Sequence, residues 1–161
     1  MKQKINFSRR FFTKQFKVIN LCLDSFLFGR SSMRIYTLGY GGRRIGDFIK
    51  ILKEHGITLV VDVRRFPKSR DPSFSGESLK RILEENGIKY AFLGESLGGF
   101  VRGGYEKYMK SESFREGVEA LLNIARGEVA ALMCREKNVK YCHRRFISKY
   151  LESLGVETIH I

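Results

Sequence analysis

Val129-Ala130-Ala131-Leu132-Met133-Cys134, continued by Arg135-Glu136-Lys137 and, after a polar stretch, by Cys142-His143-Arg144-Arg145, is the part of this chain that decides its architecture. Small and apolar residues in unbroken succession suit a strand buried on both faces, the usual reading of strands in parallel sheets. Beyond Cys142 the spacing turns helical, with Phe146, Ile147, Tyr150, Leu151 and Leu154 on one stripe. A strand that leads into a helix sets Cys134 at a strand's carboxyl end and Cys142 and His143 at a helix's amino end. Open α/β sheets place their ligands there.

The same alternation fills the rest of the chain from Arg34 onward. Ile35 to Leu38, Thr58 to Val63, Lys89 to Leu93 and Val156 to Ile161 read as four further strands. Ile45, Phe48, Ile49 and Leu52 fall at helical spacing and stop at His55-Gly56, and a second helix buries Leu79, Ile82 and Leu83 between Ser75 and Asn86-Gly87. Ser113-Phe114-Arg115-Glu116 has the form of a capping box ahead of Val118, Leu121, Leu122 and Ala125. Between Gly94 and Lys110 lies a glycine-rich connection, expected to be a functional lid or a poorly ordered segment. Five strands and four helices predict a single α/β domain of Rossmann-like type over residues 33–161. Its sheet is mostly parallel, with right-handed crossovers and helices on both faces.

Residues 1–32 stand apart. They hold Lys2, Lys4, Arg9, Arg10, Lys14, Lys17 and Arg30 against the single acid Asp24, which leaves +7 of the total +13 for the domain. Ser8-Arg9-Arg10-Phe11-Phe12-Thr13-Lys14 resembles a twin-arginine export signal, but Lys17 and Asp24 interrupt the apolar region and no small-x-small site precedes Met33. An amphipathic surface helix is a second reading, and a basic extension with translation starting at Met33 is the preferred one. No apolar stretch approaches the ~20 residues of a membrane span, so no membrane partner is expected. Three cysteines, one of them Cys22 in the extension, do not form a disulfide-stapled scaffold and suit a reducing cytoplasm. A basic domain favours anionic partners.

In a parallel sheet the residues just after each strand share one edge. Gly39 and Gly41, Asp62 and Arg64, Gly98 and Gly99, and Cys134 and Arg135 therefore become candidates together, with Cys142, His143 and Arg144 at the last helix. Gly39-Tyr40-Gly41-Gly42 lets backbone approach a ligand, although Arg44 replaces the third glycine of a dinucleotide fingerprint. Asp62 ends an apolar strand and needs a partner such as Arg64, or a general-base role, to remain charged. Cys142 is the candidate nucleophile, since a helix amino end and neighbouring arginines favour a thiolate. Cys134, Asp62 and His143 are its acid-base or orienting support, and Arg64, Arg144 and Arg135 bind the anion. The strand-loop-helix order after Cys134 is similar to the phosphate loops of cysteine phosphatases and sulfurtransferases, but Lys140 occupies the place of their arginine. Cys134 and Cys142 also admit a redox-pair reading and a plain packing reading. Adjacent residues on a helix diverge by about 100°, so Cys142 and His143 are not expected to share an ion, and no metal site is assigned.

Taken in order, Tyr36-Thr37-Leu38-Gly39, Asp62-Val63-Arg64 with Pro67 and Ser69, Leu97-Gly98-Gly99, Cys134-Arg135-Glu136 and Cys142-His143-Arg144 resemble the DUF488 family, which is defined by sequence and has no assigned general activity. Tyr40-Gly41 stands where that family usually has His-Ser after the first glycine. The resemblance implies a cytoplasmic α/β domain with a strand-end site and supplies no substrate and no cofactor. The expected ligand is a phosphorylated or otherwise anionic small molecule or nucleotide. The competing expectation is a nucleic-acid-binding module using the basic and aromatic loops Arg64 to Arg70 and Phe100 to Tyr108.

Overall fold

A computed structural model describes residues 33–161. The readings made for residues 1–32, the export-like motif, the surface helix and the start at Met33, lie outside the described residues. Strand β1 (Arg34–Gly39) is followed by α1 (Ile45–Glu54), β2 (Leu59–Asp62), α2 (Gly76–Glu85) and β3 (Lys89–Phe92). Two single-turn helices, α3 (Gly94–Leu97) and α4 (Tyr105–Tyr108), precede α5 (Glu112–Ile124), β4 (Ala130–Cys134), α6 (Arg144–Ser153) and β5 (Glu157–His160). All five strands are parallel, in the order β3-β2-β4-β1-β5.

That order is a doubly wound sheet. From β1 to β3 the chain moves one way across the sheet, and from β3 to β5 it moves back, so right-handed crossovers put the two sets of helices on opposite faces. The core divides accordingly. Phe48, Ile49 and Leu52 of α1 and Leu79 and Leu83 of α2 pack on Leu38, Val60, Ala131 and Met133. On the other face Phe114, Val118, Leu121 and Leu122 of α5 and Ile147 and Leu151 of α6 pack on Ile35, Val61, Leu132 and Cys134. Phe48, Leu52, Phe114 and Leu121 are wholly buried, and sealing such side chains contributes about 1.5–3 kcal/mol each. Strand β4 lies at the reversal of winding, between β1 and β2, with Gly39 level with Cys134 and Asp62 level with Met133. The crevice such a reversal leaves at the strand carboxyl ends opens beside these residues.

Two local expectations are corrected. The helix after the glycine-rich connection is capped by Ser111, whose Oγ accepts the Phe114 N–H at 3.2 Å, and Ser113 lies inside the helix. The connection itself is not unstructured: it holds α3 and α4. Its helix α3 packs on α5 so closely that a Cβ on Gly117 would meet Ser96 Oγ at 2.5 Å. Tyr105 Oη donates to the Leu97 carbonyl at 2.7 Å and Tyr108 Oη to that of Ser96 at 2.8 Å, tying α4 to α3.

Candidate functional site

The strand carboxyl edge carries three distinct arrangements. The first is a sealed ion pair. Asp62 is fully buried and Arg64 nearly so, and a lone carboxylate in such a place would be costly. Here the cost is met completely. Arg64 donates to the carboxylate from its backbone N at 3.0 Å, from Nε at 2.9 Å and from Nη2 at 2.6 Å, and Tyr90 Oη donates at 2.9 Å. The remaining reach of the guanidinium goes to the Phe74 carbonyl, 2.7 Å from Nη1, and to Tyr40 Oη at 3.3 Å. Burial works against the Arg64 charge, yet the Asp62 carboxylate outweighs it and leaves the guanidinium harder to deprotonate than usual. Burial, reinforced by Asp62, likewise raises the Tyr90 phenol above its ordinary range. The carboxylate expected as a base and the guanidinium expected as an anion clamp thus engage each other, tying the loop after β2 to Phe74.

The second arrangement is a thiol cluster on the α5 and α6 face. Cys134 and Cys142 are both buried and unbridged, and Cys134 Sγ, Cys142 Sγ and a His143 ring nitrogen all lie within 4.8 Å of one another. His143 Nε2 is 2.8 Å from the Val63 carbonyl. A carbonyl only accepts, so Nε2 carries a proton, and Nδ1 faces Cys142 Sγ at 3.8 Å. Arg144 is 1% exposed and forms no ion pair among the described residues. Its Nε donates to Cys142 Sγ at 3.4 Å and its Nη2 to the Glu136 carbonyl at 2.5 Å. A buried guanidinium requires a neighbouring anion, and the Cys142 sulfur is the group placed to be one. The thiol of Cys142 is accordingly lowered, first by the hydrogen bond from Cys134 and then by His143 and the Arg144 backbone N–H acting against burial. Cys134 is raised by the same contact with Cys142 and by burial.

The third arrangement is open. A cleft of about 460 Å³ on the α1 and α2 side is lined by Tyr40, Gly41, Gly42 and Arg43 after β1, by Lys68 to Asp71 and Phe74 after β2, and by Arg135 after β4. Its apolar floor is the stacked pair Tyr40 and Phe74, ring centroids 4.4 Å apart. Lys68, Arg70 and Arg135 are exposed and make no ion pair among the described residues. Asp71 caps the 3₁₀ turn Pro72–Phe74 through the Ser73 N–H at 2.9 Å.

The candidates from sequence therefore reach one edge but divide between faces. Gly39 and Gly41 are accounted for by close backbone packing: a Cβ on Gly39 would lie 2.0 Å from the Glu136 carbonyl oxygen, and one on Gly41 2.7 Å from that of Arg135. Those contacts let the chain after β4 cross over the end of β1, with Tyr40 N–H donating to the Cys134 carbonyl at 3.1 Å and Gly41 N–H to that of Arg135 at 2.8 Å. Gly98 packs in the same way on Gly94 and Arg65, while Gly99 lies over the His143 ring. Arg64 and Arg144 are inside, and Arg135 alone of the three expected anion-binding arginines lines the cleft. Arg43, Lys68 and Arg70 also line the cleft; Arg43 carries no sequence signal as a small-molecule contact, whereas Lys68 and Arg70 belong to the basic loop Arg64 to Arg70. No helix among the described residues is long and apolar enough to cross a membrane.

These features define a class, a doubly wound parallel α/β domain with a cationic cleft and a buried thiol and imidazole cluster at its strand carboxyl ends. The domain of unknown function DUF488 matches residues 44–151, two thirds of the chain, and the chain belongs to that family. The matched span holds Asp62, Arg64, Gly98, Gly99, Cys134, Arg135 and Cys142 to Arg144, and leaves out β1 and β5. No curated protein and no solved structure matches the chain.

Proposed function

We propose that this protein binds a phosphorylated or otherwise anionic small molecule, nucleotides among them, in the cleft at the strand carboxyl edge. One observation carries the reading: Arg43, Lys68, Arg70 and Arg135 line a single cleft of ligand size with one acid, Asp71, whose carboxylate already accepts a backbone N–H. Guanidinium groups from loops after β1, β2 and β4 suit an oxyanion approached from several sides. The residues that the sequence marks as catalytic, Cys142, Cys134, Asp62 and His143, are absent from the cleft lining, so the proposal concerns binding and assigns no chemical step.

The test is calorimetry and thermal shift with pyrophosphate, nucleoside mono- and triphosphates, sugar phosphates and sulfate. At least one of them is expected to raise the melting temperature. The pair Arg70→Ala and Arg135→Ala should then weaken its binding by at least about 10-fold, since a hydrogen bond to a charged group is worth about 1.5–3 kcal/mol. Absence of any shift across the set, or equal affinity in the double variant, overturns the proposal.

A second reading, binding of single-stranded nucleic acid, is favoured by Phe66, Phe100 and Tyr141, which are 66%, 94% and 73% exposed. Phe66 and Tyr141 adjoin Arg65 and Lys140 in sequence and Phe100 lies two residues before Arg102, and exposed rings among cations are stacking platforms for bases. It requires oligonucleotide affinity that falls steeply with salt and drops when Phe66 and Phe100 become alanine. Undetectable binding at low salt eliminates it.

A further inference from the structure

We propose that Cys134 Sγ, Cys142 Sγ and His143 Nδ1 form a Cys₂His site for one zinc-class divalent ion, with the fourth position left to an exogenous ligand. Cys142 and His143 escape the divergence of adjacent helical residues, because Cys142 has extended backbone, φ −116° and ψ 148°, and precedes α6. An extended residue followed by a helical one turns two neighbouring side chains toward a common point, and the end of β4 brings Cys134 to it.

Three observations support an ion there. A tetrahedral zinc ion separates two sulfur ligands by about 3.8 Å and a sulfur from a nitrogen by about 3.6 Å, given bonds near 2.3 and 2.05 Å. The Cys142 Sγ to His143 Nδ1 separation is already 3.8 Å, and the whole set spans no more than 4.8 Å, so the sulfurs and the ring need to move by less than about an ångström each. The imidazole is also held as metal ligands are held. Its Nε2–H is fixed on the Val63 carbonyl at 2.8 Å, which selects the tautomer with a free Nδ1 lone pair and orients the ring. Finally, Arg144 Nε donates to Cys142 Sγ at 3.4 Å, an outer partner of the kind that tunes a coordinated thiolate.

Two thiolates and an imidazole select zinc or its close relatives over magnesium or calcium, which take oxygen ligands. No fourth cysteine, histidine or carboxylate joins the group among the described residues. Three protein ligands and one vacant position are the arrangement of zinc sites that bind water or substrate. Gly99 lies over the ring beside Nδ1, where a Cβ would stand 3.0 Å from that nitrogen, so a side chain at this position would crowd the ligand atom.

The experiment is a cobalt titration of the full, reduced chain, with zinc competition and elemental analysis of the protein as purified. Expected are one equivalent of bound metal, a thiolate-to-cobalt charge-transfer band in the near ultraviolet and its loss on adding zinc. Cys142→Ser, with folding confirmed by circular dichroism, should lose most of that band and weaken zinc binding by more than the about 10–100-fold that removal of an outer partner costs. His143→Gln should keep the sulfur band and still bind more weakly. The wild-type chain gives the first answer independently of any variant. No charge-transfer band in the reduced wild type, or zinc affinity unchanged in folded Cys142→Ser, overturns the proposal. The cleft reading is tested on different residues with phosphate compounds, so either can fail alone.

Discussion

Arg64 and Arg144 lie beneath the strand edge, while Lys68, Arg70 and Arg135 stand on it, and the two groups of cations are treated in opposite ways. The inner pair are almost fully buried, and every donor described for them is committed to Asp62, Cys142, Tyr40 or a loop carbonyl. The outer three have no carboxylate partner among the described residues. A buried charge is retained only when its surroundings satisfy it, and it then fixes those surroundings in place. An exposed charge stabilises the fold little and remains available to a ligand. Sequence places all five of these cations in segments that follow strands; burial decides which of them hold the scaffold.

The sharpest way to break this contrast is Asp62→Ala, which strands Arg64 without its counter-charge. The expected loss is about 3–5 kcal/mol, which for a domain of this size lowers the melting temperature by roughly 10–20 °C. A loss under 1 kcal/mol in denaturant titrations would mean the pair is not the fastener described. Next in size is Gly39→Ala, where a Cβ placed 2.0 Å from the Glu136 carbonyl must push the crossing segment away. Overpacking of that kind costs about 1–3 kcal/mol, and it should also disturb ligand affinity because Arg135 rides on the displaced segment. By contrast, Lys68→Ala, Arg70→Ala and Arg135→Ala should each leave stability within about 0.5 kcal/mol of the parent. A larger loss from any of the three would move that residue into the scaffold group. The smallest effect concerns salt. Raising sodium chloride screens the open cations and should weaken binding of a phosphate compound, yet leave the buried pair's contribution almost unaltered.

Much of the architecture is legible before folding because the strands and long helices announce themselves locally. Leu59 to Asp62 is an apolar run closed by a charge, and the stripe Ile45, Phe48, Ile49 and Leu52 has a single helical reading. What failed depended on contacts distant in sequence. The glycine-rich connection looks mobile by composition, and the hydroxyls of Tyr105 and Tyr108 and the hollow at Gly117 are what fix it. Ser113 satisfies the capping-box pattern as well as Ser111 fits the observed cap, and a shift of two residues decides between them. Asp62, Arg64 and the cysteines could be assigned to the strand edge from alternation alone. Which face of the sheet each would occupy could not, since that follows from side-chain parity at strand ends and from the extended backbone of Cys142.

The passage of residues 135–137 over the end of β1 has a further consequence. Tyr40 N–H and Gly41 N–H extend the β1 to β4 ladder past the sheet by two hydrogen bonds, so amides formally in a loop should exchange with deuterium as slowly as those of a central strand. The rim that presents Arg135 is consequently rigid before anything arrives. In the proposed binding mode a guest would meet a wall that is already preorganised, and its capture would sacrifice little conformational freedom on the protein's side.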